Sequence, residues 1–271
     1  MKITGTTRIF TIVAHPSVHV VAPAVFNHVF EALSLDMAYI AHDTPPEALP
    51  ATIEAYRSWG NLGGFNVTIP HKESAARLLD KLLPPAADLG AVNTVVRGPG
   101  GVLTGYNTDG AGAVQAIGEV RGAGCLVLGA GGAARAVVHA LLKAGARRVM
   151  ILNRTLERAR ALVEHFPEDR AGLFHPDMLP EMDVVIQTTP VADRIPLSLD
   201  MGGLRKGTRI LETVMRDTAL GLEAGNRGHT LIPGHHMLYH QTGENFRLLT
   251  GTHAPDAVVR QAFAAAGLPL P

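Results

Sequence analysis

Short apolar runs bounded by turn residues alternate with stretches of helical periodicity along most of the chain. Strands and amphipathic helices that alternate in this way are typical of α/β proteins. In the first half the pattern predicts strands at 8–14, 37–43, 63–70, 91–97 and 101–107 and helices at 23–34, 51–60 and 71–82. The turn Gly98-Pro99-Gly100-Gly101 joins the last two strands and indicates a hairpin. We therefore expect a mixed sheet with helices on its faces.

The second half, from about Gly112 onwards, alternates more regularly. Residues 125–146 are predicted to form a buried strand, a glycine turn and a long helix. Further strands are predicted at 149–153, 182–190 and 208–214, and further helices at 111–121, 155–166, 243–251 and 256–267. Such βαβ units build parallel sheets through right-handed crossovers. The expected fold class is α/β with two domains, a mixed-sheet domain followed by a Rossmann-type doubly wound domain.

The composition narrows the classes of function. A chain of 271 residues has the length of about two domains. Its 24 Lys+Arg residues balance 24 Asp+Glu residues, so we expect no basic surface for nucleic acid or an anionic membrane. No apolar run approaches the ~20 residues of a membrane-spanning helix, and the start of the chain does not have the pattern of a signal peptide. We expect a cytoplasmic protein.

Neither the cysteine nor the histidines favour a metal site. Cys125 is the single cysteine, which excludes a disulfide framework and a thiolate cluster. His235, His236 and His240 lie close together in the sequence, but no carboxylate cluster with ligand spacing accompanies them, and no H-E-x-x-H motif occurs. We expect no bound metal.

The clearest binding motif is Gly129-Ala130-Gly131-Gly132-Ala133-Ala134, which follows an apolar strand directly and matches G-x-G-x-x-A. The first glycine of this motif permits a tight turn, the second lets the backbone approach a pyrophosphate, and the last small residue lets helix and strand pack closely. The helix N-terminus then offers N–H groups to the phosphates. A purely structural glycine turn is the alternative, but the next strand ends at the distance that a dinucleotide site requires.

The end of that next strand indicates which dinucleotide binds. An NAD site places Asp or Glu there to accept hydrogen bonds from the ribose hydroxyls. This chain has Asn153, Arg154 and Thr155 instead, with Arg158 one helical turn later. Two guanidinium groups can hold a 2′-phosphate through charge-assisted hydrogen bonds, so the sequence favours NADP over NAD. In the alternative interpretation, Arg158 is a solvated helix residue paired with a neighbouring Glu.

Three polar segments at strand ends carry the remaining candidate chemistry, namely residues 66–72 (NVTIPHK), 90–94 (GAVNT) and 105–110 (GYNTDG). Lys72 opens a predicted helix, where the positive end of the helix dipole disfavours a cation and favours the neutral amine used in proton transfer. A surface lysine is the alternative. Asp109 also has a simple alternative, because Asn-Thr-Asp before a helix is a good N-cap.

Together with GAGGAARA, NRT and MLYHQTGENF, these segments resemble the shikimate dehydrogenase family and its quinate and aminoshikimate relatives. The motifs occur in family order over nearly the whole chain. The resemblance implies a substrate-binding domain of residues 1–112, completed by helices at 239–271, and a Rossmann domain of residues 113–238. It also implies an active site in the cleft between them and reversible NADP-dependent oxidation of a ring hydroxyl to a ketone, a reaction of aromatic amino acid biosynthesis. We expect a monomer or a homodimer that acts on a small alicyclic substrate.

The resemblance also implies roles for particular residues. Lys72 and Asp109 match the catalytic pair of the family, and Thr68, Asn93 and Gln241 match positions that hold the substrate hydroxyls. The residues expected to contact NADP are Gly129, Ala130, Gly131, Gly132, Ala133, Asn153, Arg154, Thr155, Arg158, Thr188, Val214, Gly234 and Met237. The last two match the segment beside the nicotinamide.

Three segments depart from the family pattern, and one of them is 187–193, which lacks the usual Asn, Gly and Met. The family has a Ser-x-Ser pair before Pro whose hydroxyls bind the substrate carboxylate, but alignment on Pro23 places Val20 and Ala22 there. Each lost hydrogen bond to a carboxylate is worth about 1.5–3 kcal/mol. Glu212 and Met215 replace an aspartate and a tyrosine. We therefore expect a divergent member that retains the hydride chemistry and accepts a different or less acidic alicyclic alcohol, with shikimate as the default substrate.

Two other functions stay open at this point. One is reduction of another small carbonyl or iminium compound. The other is a non-catalytic regulator that binds NADP and senses a metabolite. The presence of Lys72, Asp109, Asn93 and Gln241 favours an enzyme, because a site that has lost its activity is expected to lose such residues.

Overall fold

The computed structural model describes residues 2–268 and 270. The chain divides into two compact units: unit 1 is Met1–Thr108 with Gln241–Pro271, and unit 2 is Asp109–His240. The first unit therefore ends at Thr108 and resumes at Gln241. The family resemblance implies that it ends at residue 112 and resumes at residue 239. The roles of the two units, substrate binding and dinucleotide binding, stay predictions.

The helices and strands of the described residues have the following bounds. The strands are β1 (Arg8–Ala14), β2 (Met37–Asp43), β3 (Leu62–Val67), β4 (Lys81–Leu82), β5 (Thr94–Arg97), β6 (Leu103–Tyr106), β7 (Gly124–Leu128), β8 (Arg148–Leu152), β9 (Ala171–Leu173), β10 (Val184–Gln187), β11 (Arg209–Glu212) and β12 (Thr230–Pro233). The α-helices are α1 (Ala22–Ala32), α2 (Leu49–Ser58), α3 (Lys72–Ala76), α4 (Ala86–Leu89), α5 (Asp109–Ile117), α6 (Gly132–Lys143), α7 (Leu156–Val163), α8 (Ala219–Asn226), α9 (Gly234–Thr250) and α10 (Asp256–Ala265). None of them is both long enough and apolar enough to cross a membrane.

Unit 1 is built on a mixed sheet with the strand order β2-β1-β3-β5-β6-β4. The strands β2, β1 and β3 are parallel, and β5 is antiparallel to both β3 and β6. The predicted mixed sheet and hairpin are therefore confirmed. The rings of Phe26 and Phe30 in α1 lie 6.2 Å and 5.7 Å from that of Phe246 in α9. All three are buried, so this aromatic cluster attaches the last helices of the chain to unit 1.

Unit 2 is built on a fully parallel sheet with the order β12-β11-β10-β7-β8-β9. Numbered within this unit and taken from β9, the order is 3-2-1-4-5-6, which is that of dinucleotide-binding folds. Both faces of β7 are buried, as expected for a central parallel strand covered by helices. The predicted Rossmann-type doubly wound fold is thus confirmed.

The helix predicted over residues 71–82 is wrong in its second half. The helix α3 ends at Ala76, and β4 forms where the prediction continues the helix. Long-range pairing decides this, because β4 pairs in parallel with β6 and the Leu83 N–H donates to the Gly105 carbonyl at 3.0 Å. A Cβ on Gly105 would lie 2.6 Å from Leu79 and 2.9 Å from Leu82. The missing side chain of Gly105 therefore makes room for the two leucines.

Candidate active site

The predicted polar segments of unit 1 meet at the ends of β3, β5 and β6. The backbone N–H of Val67 donates to the Asn93 carbonyl at 2.9 Å, and that of Val92 donates to the Lys72 carbonyl at 3.0 Å. These two bonds place the start of α3 beside the residues that precede β5. Lys72, which is half-buried, and Asn93, which is 5% exposed, are thus fixed by backbone contacts on neighbouring segments.

The third segment is bound to the second through side chains. Asn93 Nδ2 donates to Thr108 Oγ1 at 2.8 Å, while Asn93 Oδ1 accepts the Thr108 N–H at 3.0 Å. Asn107 Nδ2 donates to the Ala91 carbonyl at 3.0 Å. Asp109 comes directly after Thr108, is buried, and is the first residue of α5 in unit 2. The structure therefore brings the three sequence segments together as far as Thr108.

His71, the residue before Lys72, is held by the backbone. Its ring is buried, and Nε2 donates to the Thr44 carbonyl at 2.7 Å. Burial lowers the pKa of His71, because desolvation disfavours the charged imidazolium. The neutral ring fixes the turn from which α3 starts, and Thr68 lies half-buried just before this turn.

The loop that follows β1 is organised around a carboxylate of the protein itself. His15 Nδ1 donates to Asp43 Oδ1 at 2.7 Å, and the Ser17 N–H donates to Asp43 Oδ2 at 2.6 Å. Hydrogen bonds from His15 and Ser17 lower the pKa of Asp43 to about 2. Val20 is half-buried and Ala22 is buried at the start of α1. Ser17 is therefore engaged by Asp43, and the two predicted carboxylate-binding positions offer only apolar side chains.

The glycine turn of unit 2 has no room for a side chain at one position and open space at another. Gly129 has a φ of +118°, and a Cβ at this position would lie 2.5 Å from Thr188 Oγ1, so a side chain is excluded. A Cβ on Gly131 would meet no atom within 4 Å, which leaves open space above the backbone. The N-cap residue of α6 is Gly131, which has no side chain to cap the first turn of this helix. These residues fit a pyrophosphate at the helix N-terminus.

The residues after β8 are suited to a phosphate. Asn153 Nδ2 donates to the Thr155 carbonyl at 2.9 Å and so shapes the turn into α7. Arg154 and Arg158 are both exposed, and neither forms an ion pair within the described residues. The alternative in which Arg158 pairs with a neighbouring Glu is thus not observed in this part of the chain.

The other predicted cofactor contacts follow the carboxyl ends of neighbouring strands. Thr188 comes after β10 and its hydroxyl donates to the Leu128 carbonyl at 2.7 Å. Val214 comes two residues after β11, and Gly234 comes directly after β12. A Cβ on Gly234 would lie 2.8 Å from the Glu212 carbonyl, so a side chain does not fit. In this sheet β7 lies between β8 and β10, so the strand order reverses at β7. Doubly wound sheets bind ligands at the carboxyl ends of the strands beside such a switch point.

Comparison with known proteins assigns the family. A family model described as "Shikimate dehydrogenase substrate binding domain" matches residues 12–95, and one described as "Shikimate / quinate 5-dehydrogenase" matches residues 112–219. The chain is 39% identical to a "Shikimate dehydrogenase (NADP(+))" of Geobacter sp. (strain M21), over 98% of this chain and 97% of that protein. The chain belongs to the shikimate dehydrogenase family.

Two solved structures of shikimate dehydrogenases show the same fold. The enzyme from Aquifex aeolicus matches with a TM-score of 0.89 and 32% identity, over 96% of this chain and 99% of that chain. The enzyme from Thermus thermophilus, in complex with NADP(H) and shikimate, matches with a TM-score of 0.85 and 35% identity over the same shares. The expected family resemblance is therefore confirmed along both units.

The family is shown, but the roles assigned to individual site residues stay predictions. The structure brings Thr68, Lys72 and Asn93 together in unit 1, and it places Gln241, which is 8% exposed, on the part of α9 that belongs to the same unit. Met237 is buried in the core of unit 2 and is held by packing. The described residues contain no group of three or more His, Cys, Asp or Glu side chains that could hold a metal ion.

The environment of Glu212, the last residue of β11, is not predictable from the local sequence. Its side chain is 3% exposed, with Oε1 accepting the Val214 N–H at 2.9 Å and Oε2 accepting the Thr218 hydroxyl at 2.8 Å. Thr218 Oγ1 in turn accepts the Gly221 N–H at the start of α8. Burial raises the pKa of Glu212 to about 7, because desolvation outweighs these hydrogen bonds. An acid at the end of a buried strand was the available signal in the sequence for the residue, but not for its environment.

This raised pKa predicts how stability depends on pH. The folded state favours protonated Glu212, so its contribution is fully present below about pH 4.5 and is lost as the pH rises through about 7. Glu212→Gln keeps a neutral side chain at every pH. We expect the variant to match the wild type at pH 5 and to be more stable at pH 8, by at most roughly 3 kcal/mol. Urea denaturation at the two pH values measures the difference.

The control for Glu212 is the exposed Glu157 of α7. Glu157→Gln removes the same charge from the same unit without a buried partner, so its effect on stability is expected to be equally small at pH 5 and pH 8. If Glu212→Gln also shifted the denaturation midpoint equally at both pH values, the inferred titration of Glu212 would be wrong.

Proposed function

We propose that the chain is an NADP-dependent dehydrogenase that interconverts a ring hydroxyl and a ketone, with shikimate and 3-dehydroshikimate as the default pair. The observation that carries the proposal is the match of the two family models, in order, to residues 12–95 and 112–219. The identity to an NADP(+)-dependent relative over nearly the full length supports the same cofactor for this chain. The glycine turn and the exposed Arg154 and Arg158 fit that cofactor chemically.

In the proposed mechanism, Lys72 handles the proton. NADP, when bound, accepts the hydride in oxidation and returns it in reduction. As the carbon–hydrogen bond of the alcohol breaks, the neutral Lys72 amine takes the hydroxyl proton and becomes an ammonium. In the reverse direction the Lys72 ammonium stabilises the developing alkoxide and then protonates it. This step needs no metal ion, because the ammonium supplies the positive charge.

The other candidate residues orient the substrate. Asp109 accepts a hydrogen bond from a substrate hydroxyl. Thr68, Asn93 and Gln241 bind the remaining hydroxyls through side chains that both donate and accept. Correct placement of the reacting groups is worth several kcal/mol of the reaction barrier. Loss of a positioning contact is therefore expected to affect turnover as well as affinity.

The test is an assay of the purified protein with NADP and a panel of ring alcohols. The panel contains shikimate, quinate and ring polyols without a carboxyl group, and the absorbance of the reduced nicotinamide reports turnover. We expect NADP-dependent oxidation of at least one panel member. Binding of NADP without turnover of any ring alcohol would instead favour the non-catalytic regulator.

The apolar positions Val20 and Ala22 predict the ranking within this panel. These two positions offer no hydroxyl partner, and the Asp43 anion accepts hydrogen bonds from the same loop, so we expect weak binding of a carboxylate-bearing substrate. The double substitution Val20→Ser with Ala22→Ser is expected to lower the KM for shikimate by about 100-fold, because each new hydroxyl can donate to the carboxylate and two such hydrogen bonds of about 1.5 kcal/mol each correspond to this factor. The KM for a carboxylate-free ring alcohol serves as the control and is expected to stay unchanged. An equal change of both KM values would contradict this account of specificity.

A further inference from the structure

A series of hydrogen bonds inside unit 1 ends at Asn245 of α9. The Tyr39 hydroxyl donates to Asn66 Oδ1 at 2.6 Å, and Asn66 Nδ2 donates to Thr94 Oγ1 at 2.9 Å. The Thr94 hydroxyl lies 2.9 Å from Asn245 Oδ1, and the Thr108 hydroxyl lies 2.8 Å from the same oxygen. All five side chains are buried, and Asn245 is 5% exposed. One amide oxygen thus connects the end regions of β5 and β6.

The directions of these bonds follow from the available hydrogens. An amide oxygen only accepts, so the Thr108 hydroxyl donates to Asn245. A lone pair of Thr108 Oγ1 then accepts the hydrogen bond from Asn93 Nδ2 at 2.8 Å. The single hydrogen of the Thr94 hydroxyl is shared between Asn245 Oδ1 and Asn93 Oδ1, which lies 3.0 Å away. Asn245 therefore sets the orientation of the Thr108 hydroxyl and, through it, of the Asn93 amide.

We propose that Asn245 is a positioning residue for the dehydrogenase reaction. It holds the Asn93 amide in the orientation that binds a substrate hydroxyl, and it fixes Thr108, the residue before Asp109. This inference rests on the proposed function. Asn245 follows Gln241 by four residues on α9, so the two side chains lie on one face of the helix. One face of α9 thus contributes the predicted substrate contact Gln241 and the residue that supports the contact at Asn93.

Three variants separate positioning from simple stability. Asn245→Leu removes the acceptor at similar volume, whereas Asn245→Asp keeps an acceptor oxygen in the same place. Tyr39→Phe removes the first hydroxyl of the same buried series without touching Asn93, Thr108 or Asn245. We expect Asn245→Leu to lower kcat by roughly 10–30-fold, because small displacements of positioned groups cost this much or more. Asn245→Asp is expected to recover most of this loss.

The Tyr39→Phe variant is the matched control. It is expected to lower the melting temperature, as Asn245→Leu does, because both break a buried hydrogen bond. Its kcat is expected to stay at the wild-type value, and the KM for NADP is expected to stay constant in all three variants. Equal losses of kcat in Tyr39→Phe and Asn245→Leu would overturn the proposal, as would a folded Asn245→Asp variant as inactive as Asn245→Leu.

A measurement without turnover keeps this inference distinct from the proposed function. If the wild type oxidised no ring alcohol, the proposed function would fail. The side-chain amide signals of Asn93, assigned by NMR with an Asn93 variant, would then decide the role of Asn245. A shift of these signals in Asn245→Leu but not in Tyr39→Phe supports control of the Asn93 orientation by Asn245. Unshifted signals in Asn245→Leu overturn it.

Discussion

Replacing Lys72 by Met is expected to lower kcat for ring-alcohol oxidation by about 10²–10⁴-fold, the range typical of a general acid–base residue. Methionine keeps the unbranched stem of lysine but has no amine to take the hydroxyl proton. The fold is expected to survive, because the contact between Lys72 and Val92 is a backbone hydrogen bond that any side chain permits. Since the amine acts in the transition state, kcat and kcat/KM are expected to fall together. Steady-state kinetics measure the loss of kcat and kcat/KM, and titration of NADP binding checks that the variant is folded.

Two controls separate the chemistry of Lys72 from its charge. Lys81 is an exposed lysine of β4 in the same unit, and Lys81→Met is expected to leave kcat unchanged. In a Lys72→Ala variant, a small primary amine in solution is expected to restore part of the turnover by replacing the missing base. A Lys72→Met enzyme with wild-type kcat would rule out the proposed proton transfer. Equal losses in both methionine variants would attribute the effect to net charge.

The sequence was sufficient for the parts of the fold that depend on local pattern. The predicted bounds of β1 and β2 agree with the structure, because a short apolar run between turn signals is typical of a strand. The sequence was insufficient where pairing partners lie far apart. Lys81 and Leu82 form β4 because they pair with Thr104 and Gly105, and no local signal within 71–82 opposes the helix. Tertiary pairing therefore overrode local propensity there.

The candidate site divides in the same way. The segments that contain Lys72, Asn93 and Asp109 were recognisable individually, because polar residues at strand ends have few structural reasons to be there. The hydrogen bonds that connect these segments were not recognisable from the sequence. Thr94 and Thr108 both bond to Asn245, and the whole of unit 2 separates Asn245 from them along the chain. The raised pKa of Glu212 likewise comes from burial, which the composition of its own segment does not show.

The double variant Arg154→Ala with Arg158→Ala is expected to raise the KM for NADP by about 100-fold and to leave the KM for NAD almost unchanged. The two cofactors differ only in the 2′-phosphate, and two charge-assisted hydrogen bonds of about 1.5 kcal/mol each correspond to this factor. Both arginines are exposed, so the lower end of the range for charged groups applies. Kinetics with each cofactor at saturating alcohol measure the change.

Salt and a neighbouring arginine test whether contact with the 2′-phosphate causes this preference. Exposed charges are screened by salt, so the KM of the wild type for NADP is expected to rise with ionic strength, while that of the double variant stays flat. Arg160 is exposed on the same helix, and Arg160→Ala removes a similar charge without occupying a predicted contact position. It is expected to keep the preference for NADP. Equal effects of the double variant on NADP and NAD would mean that the two guanidinium groups support the turn into α7 rather than recognise a phosphate.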